Sequence, residues 1–135
     1  MPQKKTSIVQ VVSLSGARVL IVEDEYYIAD DLRRMLEAAG ASVIGPVSTL
    51  AKAHELIDRR GFDCAVIDLN LHGESAVSIA DRLLESDTSF AIATGYGSEI
   101  VPERLKHVPR IEKPFDPQQL VQVVAQLGCI RSAAD

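Results

Sequence analysis

Tryptophan is missing from these 135 residues, and aromatic side chains make up only 4% of them. The interior must therefore be packed from Val, Ile, Leu and Ala, without the large flat rings that dominate many cores and binding faces. Cysteine is scarce too. Cys64 and Cys129 show neither CxxC nor metal-ligand spacing, which excludes a zinc framework and a disulfide scaffold. Cys64 stands in the apolar run CAVI, where a buried reduced thiol is the simplest reading, and a reducing cytoplasm is the expected compartment. No apolar run approaches the roughly 18 residues of a membrane span. Clustered positive charge is absent as well. The net charge is −5 and the 14 Lys and Arg are scattered, which argues against direct nucleic-acid binding.

What is present suffices for one packed domain: 47% hydrophobic and 24% charged residues. The opening MPQKKTSIVQVVSLSG has a short apolar stretch interrupted by Gln10 and Ser13, so residues 1–16 read as a tail rather than a signal peptide. Packing of residues 8–14 on the domain or on a second copy stays open, and with it a homodimer. The domain is expected over residues 17–128, with a C-terminal tail over 129–135.

From Arg18 onward, short apolar runs at 19–22, 43–44, 64–67, 90–93 and around Ile111 alternate with helical patterns. The runs are too short for helices and several are rich in Val and Ile, as buried strands are. Ile28, Leu32, Met35, Leu36 and Ala39 form one stripe of a helix that Gly40 ends. Ser48 is the expected cap of a second helix carrying Leu50, Ala53, Leu56 and Ile57. Ser75 is expected to cap a third, with Ala76, Ile79, Ala80, Leu83 and Leu84 on one face. Asp116 and Pro117 open the last, whose stripe is Leu120, Val123, Val124 and Leu127, and Gly128 closes it. Between Gly97 and Pro109 the pattern is weak and holds two prolines, so only a short or mobile helix is expected there. Five βα units of this kind predict an α/β fold, a parallel sheet covered on both faces with right-handed crossovers.

In such sheets ligands sit at the carboxyl ends of the strands. Glu23, Asp24 and Glu25 follow the first run, Asp68 the third, Thr94 and Gly95 the fourth, and Lys113 and Pro114 the fifth. Each has an ordinary explanation alone, as a helix terminus, a turn or a solvated loop. Together they bring carboxylates, a hydroxyl and an ammonium to one rim. Carboxylates of Glu23, Asp24 and Asp68 held close repel one another, and a divalent cation is the natural compensation. Oxygen-only ligands suit Mg²⁺, which would also neutralise charge in a phosphoryl transfer. Asp68 is then the candidate nucleophile, Lys113 its counter-ion and phosphate contact, and Thr94 a hydroxyl donor to a phosphate oxygen.

This arrangement resembles the receiver domain of two-component response regulators across roughly residues 17–128. The strings that carry the resemblance are VLIVEDE, DLNLHGE, ATGYG and EKPF. It implies a flavodoxin-like (βα)5 doubly wound sheet of strand order 2-1-3-4-5. It further implies phosphorylation of Asp68 by a sensor histidine kinase, Mg²⁺ on Glu23, Asp24, Asp68 and the backbone carbonyl of Asn70, and a cis turn at Pro114. Two departures stand out. The aromatic residue found three positions before the lysine in many receivers is Arg110 here. The fourth strand is similar to a mostly single-domain subclass with a Phe-Ala-Thr-Gly-(Gly/Tyr) signature, often linked to kinases of the HWE type, but Ile92 replaces its Phe. Tyr96, flanked by Gly95 and Gly97, is a candidate replacement for the missing switch aromatic.

The resulting expectation is a stand-alone signalling receiver rather than a turnover enzyme, acting by partner binding or phosphate buffering. A receiver excised from a hybrid kinase is an alternative within the class. A small Asp-nucleophile, Mg²⁺-dependent phosphatase usually has a second Asp two residues on, where Asn70 stands here. A flavodoxin-like small-ligand binder needs a neutral phosphate-cradling loop, and Glu23-Asp24-Glu25 would repel a cofactor phosphate.

Overall fold

The computed structural model describes residues 12–95 and 101–128. Strand β1 (Arg18–Val22) leads into helix α1 (Tyr26–Ala38), then β2 (Ser42–Val47), α2 (Leu50–Arg59) and β3 (Cys64–Asp68). A short hairpin of β4 (Asn70–Leu71) and β5 (Glu74–Ser75) precedes α3 (Val77–Glu85). Strand β6 (Ser89–Thr94), a 3₁₀ turn at Glu103–Leu105, β7 (Arg110–Glu112) and α4 (Pro117–Gln126) complete the order. The main sheet runs β2-β1-β3-β6-β7 with every pairing parallel. Setting the small hairpin aside, this is the 2-1-3-4-5 order of a flavodoxin-like doubly wound sheet. Among the described residues no helix is long and apolar enough to cross a membrane.

The two-residue period of the strands divides the core. Leu20, Val22, Ala65, Ile67, Phe90 and Ile92 point to one face, where Ala53 and Ile57 of α2 and Ile79, Ala80 and Leu83 of α3 cover them. Val19, Ile21, Cys64, Val66, Ala91 and Ala93 point to the other, under Leu32 and Leu36 of α1 and Leu120 and Val124 of α4. Strands buried on both faces read as continuous apolar runs, which is why β1 and β3 were recognisable without alternation. Leu14 joins the second face with no exposed surface, and its N–H donates to Ala39 O at 2.7 Å. One residue of the segment expected as a tail is therefore part of the core.

Helix boundaries differ in detail from expectation. Helix α2 is capped by Thr49, not Ser48: Thr49 is extended and its hydroxyl accepts the Lys52 N–H at 3.2 Å. Both residues carry a hydroxyl, and only the one directly before Leu50 reaches the free N–H groups of the first turn. At α3 the N-cap is Ala76, with no side-chain bond of its own. Ser75 lies in β5, yet its hydroxyl still accepts the Val77 N–H at 3.2 Å. Asp116 caps α4 with Pro117 directly after it, as its sequence implies. In the weak slot before β7 the described residues hold only the three-residue 3₁₀ turn.

Glycine is required at one kink that shapes the sheet edge. Gly45 has φ +95°, and a Cβ there would come within 2.9 Å of Val47 N and 3.0 Å of Ile21 O. The β1–β2 register shifts beside it, between Leu20 and Val22, so that Val47 O still accepts the Glu23 N–H at 3.0 Å.

Candidate functional site

Register alone brings the polar residues together. Val22 lies opposite Ile67, Asp68 opposite Ala93, and Thr94 opposite Glu112. Glu23, Asp68, Thr94 and Lys113 therefore leave adjacent strands at one edge. Glu23 and Asp68 are almost fully buried, at 2% and 5% exposure, and Thr94 is buried beside them. One carboxylate oxygen from each of Glu23, Asp24 and Asp68 lies within 4.8 Å of the others.

The carboxylates are oriented by backbone. Asp68 Oδ1 accepts the Asn70 N–H at 2.8 Å, Asp24 Oδ2 accepts the His72 N–H at 2.8 Å, and Glu23 Oε2 accepts the Glu25 N–H at 3.1 Å. The hairpin that delivers these donors is itself locked, because Asn70 Oδ1 accepts the Gly73 N–H at 2.8 Å. His72 and Gly73 take the left-handed conformation that its tip requires. Lys113 Nζ donates to Asp68 Oδ2 at 2.7 Å and stands 2.8 Å from Glu23 Oε1. The latter contact is a charge pair, and Lys113 is the partner of the otherwise unpartnered, buried Glu23 Oε1. The Lys113 N–H also donates to Thr94 O at 2.8 Å, which ties the lysine to the hydroxyl-bearing residue.

These surroundings set the charge states. Burial pushes the Glu23 carboxyl up to about 7, and Lys113 and the Glu25 N–H offset this only in part. Burial also works against ionised Asp24, but the His72 N–H and the neighbouring Glu23 hold its carboxyl below the ordinary range. For Lys113 desolvation is again the largest single influence, yet the bonds to Asp68 and Glu23 together outweigh it and hold the ammonium above the usual lysine value.

Lys113 pairs with two of the three carboxylates, Glu23 and Asp68, so negative charge remains uncompensated when all three are ionised. The donor set is made of hard oxygens within 4.8 Å of one another, and such a set fits a divalent cation such as Mg²⁺. The cleft beside them, about 350 Å³, is lined by Asp24, Glu25, Asp68, Asn70, His72, Gly73, Gly95 and Lys113.

Every sequence candidate that is described lies at or beside this cleft except Arg110. Arg110 is exposed at the start of β7, opposite Ile92 and at the far end of the strand from Lys113. The Lys113–Pro114 peptide is cis. Tyr96 lies outside the described residues, and so does Cys129. Sequence reasoning missed His72, which clamps Asp24, and the hairpin that carries it. The available signal was His72-Gly73, a turn pair placed directly after the Asp68 strand.

A doubly wound sheet with a buried Asp, an acidic neighbour pair and a lysine at its carboxyl edge defines a flavodoxin-like α/β domain with a charged site at that edge. Residues 19–125 match the response regulator receiver domain family. The chain belongs to that family of two-component signalling proteins, whose members act with sensor histidine kinases. It is 32% identical over 115 residues to the regulatory protein VanR of Enterococcus faecium, covering 82% of this chain and 49% of VanR. It is also 32% identical over 116 residues to the phyllosphere-induced regulator PhyR of Methylorubrum extorquens, covering 82% of this chain and 43% of PhyR. The chain thus spans about half the length of these curated relatives. The solution structure of SdrG from Sphingomonas melonis Fr1 is similar at a TM-score of 0.77 and 34% identity, covering 85% of this chain and 98% of SdrG.

Proposed function

We propose that this chain is a stand-alone receiver that accepts a phosphoryl group from the phosphohistidine of a sensor kinase, of the HWE type, onto Asp68. A Mg²⁺ held by the acidic cluster would supply neutralisation of the charge that develops in the transfer. The observation that carries the reading is the double tether of Asp68, through Oδ1 to the Asn70 N–H and through Oδ2 to Lys113 Nζ. The Asn70 tether orients the carboxylate for in-line attack, and Lys113 neutralises it until the phosphoryl group arrives.

In the step itself a new O–P bond forms at Asp68 as the P–N bond of the donor breaks, and the departing imidazole is reprotonated from solvent. Lys113 moves from the Asp68 oxygen to a phosphoryl oxygen, and the Thr94 hydroxyl donates to another. Glu23 and Asp24 would hold the cation together with Asp68 and the Asn70 carbonyl. Water attack on the acyl phosphate returns the free carboxylate, which makes the modification transient. Output passes to a partner protein or serves as a phosphate buffer. The phosphoacceptor reading is supported by the BeF₃-activated solution structure of SdrG, which is 34% identical to this chain.

The test is incubation of the full chain with acetyl phosphate and Mg²⁺, read by intact mass. One phosphoryl addition is expected on the wild type and none on Asp68→Asn or with chelator present. A wild type that stays unmodified, or an Asp68→Asn variant that is modified equally, refutes the assignment.

A further inference from the structure

The β4–β5 hairpin touches two of the three acids at once. Its first residue donates the Asn70 N–H to Asp68 Oδ1, and its tip donates the His72 N–H to Asp24 Oδ2, both at 2.8 Å. The base of the hairpin is firm. Leu71 is buried in the core at 1% exposure, and the Ala76 N–H donates to Leu69 O at 2.7 Å. The tip has no such anchor. His72 and Gly73 both take positive φ, 51° and 85°, and both are exposed.

A left-handed backbone costs a residue with a Cβ about 1 kcal/mol, so His72 needs something to keep it there. The side chain of Asn70 supplies it, because Oδ1 accepts the Gly73 N–H at 2.8 Å across the turn. A bond of this kind contributes about 1 kcal/mol net. Cost and bond are of one size. Loss of the Asn70 amide therefore frees the tip, while Leu71 keeps the base of the hairpin in place. The His72 N–H then leaves Asp24 Oδ2, and a carboxylate without its donor samples more orientations.

We infer that the Asn70 side chain is a positioning residue for the cation site, acting through the His72-Gly73 tip to aim the Asp24 carboxylate. This role is separate from the one proposed for the Asn70 carbonyl. The inference rests on the cation reading of the cleft and assigns what sets its affinity.

The test follows amide exchange of the metal-free full chain by NMR and, separately, Mg²⁺ binding by calorimetry. The proteins are wild type, Asn70→Ala, Asn70→Ser and Asp24→Ala. A hydroxyl can take over the acceptor role, since Thr49 already accepts the N–H of Lys52, three residues on. Asn70→Ala is expected to speed exchange at His72 and Gly73 and to weaken Mg²⁺ by about 10-fold, with Asn70→Ser restoring part of both. Asp24→Ala is expected to speed exchange at His72 while Gly73 stays protected, which fixes the order of the relay. The positioning role is overturned if Asn70→Ala leaves both amides unchanged, or speeds both while Mg²⁺ affinity stays within about twofold of wild type. Equal loss of Mg²⁺ affinity in Asn70→Ala and Asn70→Ser with His72 exchange unchanged also overturns it, because the carbonyl would then be responsible. Absence of Mg²⁺ binding to the wild type overturns the cation reading itself, whatever the exchange rates, and the role of Asn70 falls with it.

Discussion

The two halves of the sheet's carboxyl edge are held in different ways. At the ends of β1 and β3, Glu23, Asp24 and Asp68 each accept a backbone N–H, so the acids are placed before anything binds. At the ends of β6 and β7 the tie runs from backbone to backbone, Lys113 N–H to Thr94 O, and fixes the strands rather than the hydroxyl. Preorganised charge belongs where a reaction must be accelerated. A group that reports the reaction must instead be able to change partners, because a signal needs two arrangements. Under the proposed function, the edge is thus divided between an acid half that would carry the chemistry and a hydroxyl half that would report it.

The contrast breaks most sharply at Lys113, the one side chain that serves both halves. Lys113→Ala leaves Glu23 and Asp68 without their counter-ion, and the loss of a buried pair's partner should destabilise the metal-free protein by about 3 kcal/mol. Urea unfolding in chelator measures this, and added Mg²⁺ should recover part of the loss. A loss no larger than that of an exposed surface lysine would show that the acids do not depend on it.

Glu23 sharpens the same contrast through pH. Its folded carboxyl, at about 7, lies above the value of about 4.3 in an unfolded chain. As pH rises the unfolded chain releases this proton first, so the stability that neutral Glu23 contributes is full below the unfolded pKa and lost as pH passes the folded one. The shifts of Asp24, downward, and of Lys113, upward, act outside this window. Metal-free stability should therefore fall by about 2 kcal/mol between about pH 5 and about pH 8. Glu23→Gln should flatten that slope, and an unchanged slope would remove Glu23 as its source.

Thr94→Ala should have the smallest effect on the unmodified domain. A stability change below about 1 kcal/mol is expected, with phosphoryl uptake from acetyl phosphate retained and the amide shifts that follow modification reduced. Loss of uptake equal to that of Asp68→Asn would place the hydroxyl in the chemistry and erase the division.

The strand order and the rim were legible because both depend on pattern. Buried parallel strands leave unbroken apolar runs, and whatever follows them must lie at the carboxyl edge. What escaped depends on single-residue geometry. Ser48 and Thr49 are equivalent as cap formers, and only the entry of the chain into α2 selects Thr49. The β4–β5 hairpin is two residues long on each side, too short for any periodicity, so nothing in the local pattern singled out His72. Its bond to Asp24 spans 48 positions, a distance over which no local pattern speaks. Leu14 was hidden by the polar Ser13, Ser15 and Gly16 around it.

That buried leucine governs where the domain may be cut. Its side chain plugs the layer beneath α1 and α4, and its amide closes the end of α1 through Ala39. A recombinant fragment trimmed to the first strand would lose the plug and leave a hole of leucine size, costing about 2–5 kcal/mol. Weak expression of such a fragment would then reflect a missing stopper rather than a faulty fold, and moving the start a few residues upstream should repair it.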